Sequence, residues 1–290
     1  MGIRNYPHIS EFPDIYAEGK DREAVLGKIL ANFAPYGYDY EDFLGYSVEM
    51  LRRFKPLVVV DHDLNGEYGH GAHVLNTATM CDAIELADDP SSYPESAEKY
   101  GLWKPEKLYL HLYDEDPIVM DWDTPYESMG GKTPFQMTQE GFRCHKSQHW
   151  TWFYKWIYGT NGAPITKATQ IKTYSPCNYG LWYSSVGKDV KGGDFFENVM
   201  SYAEKKAEAE RIAAEEAARK AAEEEAARKK AEEEEKARLE AERQAEEAAR
   251  AAKAARTRHV LTVGIIAAAV LIAAALILTR KKPRGRRYRG

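Results

Sequence analysis

In "DREAVLGKILANF" the apolar residues Val25, Leu26, Ile29, Leu30 and Phe33 recur three and four apart, and this spacing predicts a helix. "YEDFLGYSVEMLRRF" repeats it with Phe43, Leu44, Val48, Leu51 and Phe54, after which Pro56 stops the helix. "LVVV" then predicts a fully buried strand of the kind found in parallel sheets. "HVLNTATMCDAIELA" is helical again, "KLYLHLY" and "PIVMDW" predict strands, and "TPFQMTQEGFRCHKSQ" predicts a helix opened by Thr133 and Pro134. The near-alternation of "WTWFYKWIY", Trp150 to Tyr158, fits a half-buried strand packed in the core or at an edge, with a sugar-stacking surface as the alternative. "YGLWYSSVG" predicts a last strand. Helices alternating with strands indicate an α/β domain over residues 1–195, in which ligands bind beyond the carboxyl ends of the strands.

The pattern then changes. Residues 196–259 form a charged stalk that from Ser201 to Arg258 lacks proline and glycine and is dominated by Ala, Glu, Lys and Arg, the strongest helix formers. Glu to Arg or Lys pairs four apart, such as Glu215 with Arg219 and Glu225 with Lys229, each add about 0.2–0.5 kcal/mol. Ile212 and Leu239 are its only large aliphatics, and their spacing is not a multiple of seven, so no coiled-coil seam accumulates. A single, monomeric helix is expected, long enough to hold the domain on the order of 80 Å from a bilayer; a weak Ala-rich dimer contact is the alternative. Residues 260–279, "VLTVGIIAAAVLIAAALILT", are uncharged and at about 1.5 Å per residue just cross a hydrocarbon core of about 30 Å, which predicts one transmembrane helix. The basic tail 280–290, "RKKPRGRRYRG", is assigned to the cytoplasm.

Composition narrows the partners. The 290 residues carry a formal net charge of -5 with acids and bases interleaved, which argues against nucleic acid. Cys81, Cys144 and Cys177 make neither a disulfide framework nor a CxxC knuckle. "MGIRNYPHISEFPD" has no apolar core of the kind an export signal requires.

The candidate chemistry lies after "LVVV", in "DLNGEYGHGAHVLN". Gly66, Gly69 and Gly71 allow tight backbone paths, and His70 and His73 approach one side as the next helix begins. Imidazole suits zinc, but a hydrolytic zinc usually holds three protein ligands; Asp61, His62 and Asp63 are nearby candidates, and Glu67 could orient a histidine. A polar loop whose histidines cap the helix is the alternative. His145 and His149 fit helix-end hydrogen bonding.

"DLNGEYGHGAH" resembles the second, H-x-x-H-shaped motif of the PIG-L/LmbE-like deacetylases, and "YPESAEKYGLWKPEKLYLHLY" and "GFRCHKSQ" are similar to that family in the same order. The likeness runs over most of residues 1–195. It implies a Rossmann-like fold, here partial, and a zinc-dependent amidase that removes acetyl from N-acetylglucosamine units of glycoconjugates. It implies His73 as the zinc ligand and His70 as the residue that stabilises the tetrahedral intermediate. The family's first motif, A-H-P-D-D-E in type, brings the other ligands and the general base; it is not found, since His8 and Asp14 in "YPHISEFPD" have the wrong spacing. With His73 the only ligand, zinc binding is expected to be poor and catalysis impaired. The expectation is therefore the C-terminal part of a longer, single-pass membrane deacetylase whose globular domain is extracellular in the full-length form. A non-catalytic, membrane-anchored glycan-binding or scaffold protein is the alternative.

Overall fold

The computed structural model describes residues 7–279. Asp21 opens the first helix, α1 (Arg22–Phe33), by accepting the Ala24 N–H at 2.9 Å. A capping box between Asp39 and Asp42 opens α2 (Tyr40–Phe54), which ends at Lys55 in the left-handed region, just before Pro56. Strand β1 (Val58–Asp61) follows, then a one-turn helix α3 (Gly66–Gly69), helix α4 (Gly71–Leu86) and short helix α5 (Pro94–Tyr100). Strands β2 (Lys107–His111) and β3 (Pro117–Val119) come next, then α6 (Pro134–Phe142), α7 (Trp152–Tyr158), the two-residue strands β4 (Gly159–Thr160) and β5 (Ala163–Pro164), and β6 (Asn178–Ser184). Thr133 caps α6 through a box with Gln136, as the sequence predicts.

The main sheet has the order β1-β2-β6-β3. β1 and β2 are parallel, with Asp61 opposite Leu110, whereas β6 runs antiparallel to both β2 and β3. The domain is thus mixed α/β with a small mixed sheet. "LVVV" is not the fully buried central strand expected: among the described residues β1 pairs only with β2, and Val60 is 44% exposed on this edge strand. "WTWFYKWIY" is not a strand either. Its ring-to-ring stacking and the burial of Ile157 are compatible with a single helical turn pair, and helix α7 is what forms.

Helices α2 and α4 cover one face of the sheet, where Leu44, Val48, Leu51, Ala83 and Ile84 pack on Leu108 and Leu110. Each such side chain, when fully buried, contributes about 1.5–3 kcal/mol. The opposite face packs Tyr109, Ile118 and Leu181 against Phe195. A separate cluster of Phe135, Ile157, Ala168, Ile171 and Cys177 holds α6 and α7 together.

Two buried cations brace this frame. Arg52 is fully buried and donates to the carbonyls of Leu86, Ala87, Asp89 and Tyr93 and to Ser96 Oγ, so it closes the C-terminus of α4. Lys107 is buried too; it donates to the Tyr109 hydroxyl at 3.1 Å and pairs with Asp189, which also accepts from that hydroxyl. This triad ties the segment after β6 back onto the sheet.

Residues from Lys206 onward form a second unit, distinct from Met1–Lys205. Helix α8 (Tyr202–Thr279) runs unbroken for 78 residues. Charged pairs stud its surface, for example Lys229 with Glu225 at 2.7 Å and Arg211 with Glu215. Near its C-terminal end its apolar side chains are exposed, and among the described residues it is the one helix long and apolar enough to cross a membrane by length and composition. The basic tail lies outside the described residues.

Candidate functional site

The carboxyl ends of β1 and β2 lie side by side because the two strands run parallel, and this places Asp61 and His111 at one edge of the sheet. Asp61 Oδ1 accepts the His62 N–H and the Asn76 side-chain amide, both at 2.7 Å, which pins the loop to α4. Its Oδ2 is buried without a hydrogen-bond partner, and burial raises the carboxyl above its usual range.

The loop then turns sharply. Gly66 has φ +67, and a Cβ there would sit 2.9 Å from Val74 Cγ2, so glycine is required. Glu67 follows at φ 55 and ψ -83, an unfavourable backbone for a residue with a side chain. Such strain costs on the order of 1–3 kcal/mol and persists only where surrounding contacts hold it. Gly71 lets the chain approach Ala17 closely, its N–H donating to the Ala17 carbonyl at 2.7 Å. From there α4 starts and carries His73 back over the loop.

The contacts that hold Glu67 are those of three histidines. His73 Nδ1 lies 2.8 Å from Oε2, His62 Nδ1 3.2 Å from Oε2, and His111 Nδ1 3.0 Å from Oε1. The Asp63 N–H donates to Oε1 at 3.0 Å. His62 and His73 stack, with ring centroids 3.9 Å apart and planes 9° from parallel. Burial would push the Glu67 carboxyl up, but the hydrogen bonds from His111, His62 and His73 outweigh it and hold the group far below the usual carboxylate range. For His62, burial acts to lower the pKa, and the Glu67 carboxylate overcomes it and raises the value.

His111 shows what the cluster is suited to hold. Its Nε2 lies 2.8 Å from the Ser175 carbonyl, which can only accept, so the ring proton sits there. Nδ1 is then left facing a carboxylate oxygen, an arrangement satisfied by a second ring proton or by a cation shared between the two. An imidazole anchored by its other nitrogen on a backbone carbonyl is also the usual posture of a metal ligand. His62, Glu67 and His73 each place a donor atom within 4.8 Å of the others. Donor separations of 2.8–3.2 Å compare with about 3.3 Å between ligands of a tetrahedral zinc, so small outward shifts would admit the ion. The donor set fits a divalent metal.

The two histidines of the H-x-x-H pattern part company. His73 is in the cluster, whereas His70 stands at the N-terminal boundary of α4 without a side-chain capping bond and makes no hydrogen bond to Glu67 among those described. The His70 ring lies 4.6 Å from that of His73 and edge-on to Tyr16, at 5.1 Å. Its Nδ1 is buried with no hydrogen-bond partner, and burial, with His73 beside it, lowers its pKa. His145 and His149 lie elsewhere; His149 Nε2 bonds the Phe142 carbonyl at 3.1 Å, the helix-end contact expected from sequence. The sequence motifs do not single out His111, which turns out to be the last residue of β2, inside "KLYLHLY", at the carboxyl end where ligands collect.

Above the cluster opens a pocket of about 240 Å³, with His62, Glu67, His73 and His111 on its polar side. Tyr68, Trp152, Phe153, Trp156, Tyr174 and Tyr179 form most of the rest.

No family model matches the chain, and no solved structure matches it. Several curated proteins do. The 1D-myo-inositol 2-acetamido-2-deoxy-alpha-D-glucopyranoside deacetylase of Geodermatophilus obscurus is 30% identical over 94 residues, covering 31% of this chain and 31% of that protein. Mycothiol S-conjugate amidase of Streptomyces coelicolor is 36% identical over 74 residues, 25% of each chain. A deacetylase of the first name from Thermobispora bispora is 25% identical over 191 residues, 61% of this chain and 59% of that one. The chain spans about a third or less of the first two, and under two thirds of the third. Its curated relatives are thus deacetylases and an amidase.

Proposed function

We propose that residues 1–195 form a PIG-L/LmbE-like, partial Rossmann-like domain that hydrolyses the acetamide of an N-acetylglucosamine-containing glycoconjugate, with the cluster around Glu67 as its zinc site. The observation that carries this reading is the convergence of three imidazole Nδ1 atoms on one carboxylate, inside the loop whose sequence resembles the deacetylase motif. The names of the curated relatives support the reaction class.

His62, Glu67 and His73 would hold the ion, and His111 is a further donor on the same side. Once bound, zinc supplies Lewis acidity toward an amide carbonyl and toward water. The protein's own groups do the rest of the positioning. Glu67 fixes the ring orientation of His73 and His62 through Oε2 and that of His111 through Oε1. The resemblance gives His70 the role of stabilising the oxygen that becomes negative as the carbonyl is attacked; its ring lies 4.6 Å from that of His73, and its buried Nδ1 has no hydrogen-bond partner. The sequence motif supplies one ligand, His73; the cluster offers three more candidates, from the loop after β1, from α3 and from the end of β2.

A specific observation favours the second reading, a glycan-binding protein without chemistry. Glu67, the carboxylate at the centre, is ringed by three imidazole nitrogens and the Asp63 N–H, and these contacts hold its carboxyl far below the usual range, so it is a weak base for the general-base step. The remainder of the chain is read as a helical spacer, a single membrane span over 260–279 and a cytoplasmic tail.

Acetate release separates the two readings. The zinc-loaded 290-residue chain, in a detergent without a sugar headgroup, is expected to liberate acetate from methyl N-acetyl-β-D-glucosaminide, and His73→Ala to abolish it. Sugar binding without any acetate release would favour the second reading and defeat the first.

A further inference from the structure

The cluster occupies one side of its pocket; the other side is a wall of rings whose role the hydrolytic reading leaves open. The edge of Tyr68 meets three of them, with centroids 5.8 Å from Trp152, 5.4 Å from Phe153 and 6.0 Å from Tyr174, at interplanar angles of 81°, 73° and 79°. Trp152 and Phe153 stack on each other at 4.1 Å. Aromatic rings arranged this way are ordinarily core, yet Trp152 remains 46% exposed, and α7 buries fully only Ile157. Exposed indole surface beside a polar cluster is costly in water and is expected where a partner covers it.

The wall is held in place from behind. Trp156 donates its indole N–H to the Thr173 carbonyl at 2.8 Å, and Trp122 donates to the Pro176 carbonyl at 2.8 Å. The segment between these two carbonyls carries Tyr174, whose backbone sits at φ 51. Tyr174 and Glu67 both line the pocket, each with a positive φ that favours glycine. Such backbone strain persists only where surrounding contacts hold it.

Size and polarity select the occupant. At about 240 Å³ the pocket falls just below the range of about 300–1,000 Å³ typical for drug-sized ligands, so it takes one ring rather than an oligosaccharide. A pyranose presents C–H faces to aromatic rings and carries polar substituents at its rim. An acyl chain would cover the rings but leave the imidazoles at the polar side without a ligand group, whereas an acetamido sugar supplies both surfaces.

We propose that Tyr68, Trp152, Phe153 and Tyr174 form a ring-stacking subsite that takes the pyranose of an N-acetylhexosamine glycoside and turns its acetamide toward the histidines around Glu67. The orientation of the acetamide rests on the deacetylase reading; the stacking of the ring does not.

The test uses the 290-residue chain in a detergent without a sugar headgroup, titrated with methyl N-acetyl-β-D-glucosaminide while tryptophan fluorescence and heat of binding are followed. Saturable quenching is expected in wild type. Trp152→Ala should weaken binding about ten-fold, the scale of one lost ring contact, and Trp152→Phe, which keeps a ring, should stay within about three-fold. N-methylacetamide, which has the amide and no ring, should bind without sensing position 152. Unchanged far-ultraviolet circular dichroism and melting in both variants exclude unfolding as the cause, and Phe153→Leu gives an independent second probe. Binding of the glycoside with no acetate release would sink the hydrolytic reading and leave the subsite standing. Acetate release with the same KM in wild type, Trp152→Ala and Phe153→Leu would overturn the subsite and leave the hydrolytic reading intact. Absence of glycoside binding at millimolar concentration, or tighter binding of decanoate than of the glycoside, would also overturn it.

Discussion

Glu67 is the residue on which the site turns. Its backbone is strained, its side chain is nearly enclosed, and three rings and one N–H converge on it. Replacing it with glutamine keeps the shape but removes the charge and turns one oxygen into a donor facing imidazoles. Glu67→Gln is therefore expected to weaken zinc binding about 10–100-fold, read by competition with a chromophoric chelator. An unchanged affinity would show that the carboxylate neither binds the ion nor orients its ligands. His70 should behave differently. Because it stands outside the cluster, His70→Ala is expected to keep the zinc content while lowering kcat about 10²–10³-fold, the usual effect of losing one oxyanion donor. Loss of metal in that variant would contradict the division of roles. The pair His70 and His73 was legible as a motif, since three-residue spacing at a helix start is a local feature. Their separate surroundings were not legible, and neither was His111, because its approach to Glu67 depends on the parallel register of β1 and β2 across 44 residues of chain.

At the scale of elements, the readings that succeeded rest on local physics. Asp21, Asp39 and Thr133 cap the helices that the apolar spacing predicts, and the caps are satisfied by neighbours within three residues. The readings that failed depended on tertiary partners. "LVVV" lies at an edge because among the described residues β2 is its only neighbour, and alternation in "WTWFYKWIY" gave way to a helix in which Trp152 packs edge-on against Tyr68 and at a tilt against Tyr174. Arg52 is a further example, a charge inside an apolar helix pattern whose purpose appears only when five acceptors surround it. Arg52→Ala would leave those acceptors buried and unpaired, and is expected to destabilise the domain by about 3 kcal/mol or more in urea denaturation. A cost below about 1 kcal/mol would mean that water replaces the guanidinium. In α8, exposed charge pairs and the absence of a seam predict that a peptide of residues 201–258 is a monomeric helix. Sedimentation showing a stable dimer at micromolar concentration would rule that out in favour of an Ala-rich contact.

For the whole molecule, the sequence divides a mixed globular region from a charged and then apolar tail, and the structure separates Met1–Lys205 from the remainder. The helix continues without a break through the point where composition changes from charged to apolar, since neither proline nor a capping residue interrupts it. If residues 260–279 span a bilayer, the expressed protein should remain in the membrane fraction after carbonate washing, and a variant lacking them should be released; full extraction of the intact chain would contradict the span. Whether the cluster around Glu67 holds zinc is decided by the metal content of the 290-residue chain purified in sugar-free detergent. About one zinc per chain is expected by elemental analysis after equilibration with micromolar metal, with loss of that zinc in His73→Ala. Far less than one zinc in the wild type, or the same content in His73→Ala, would contradict it.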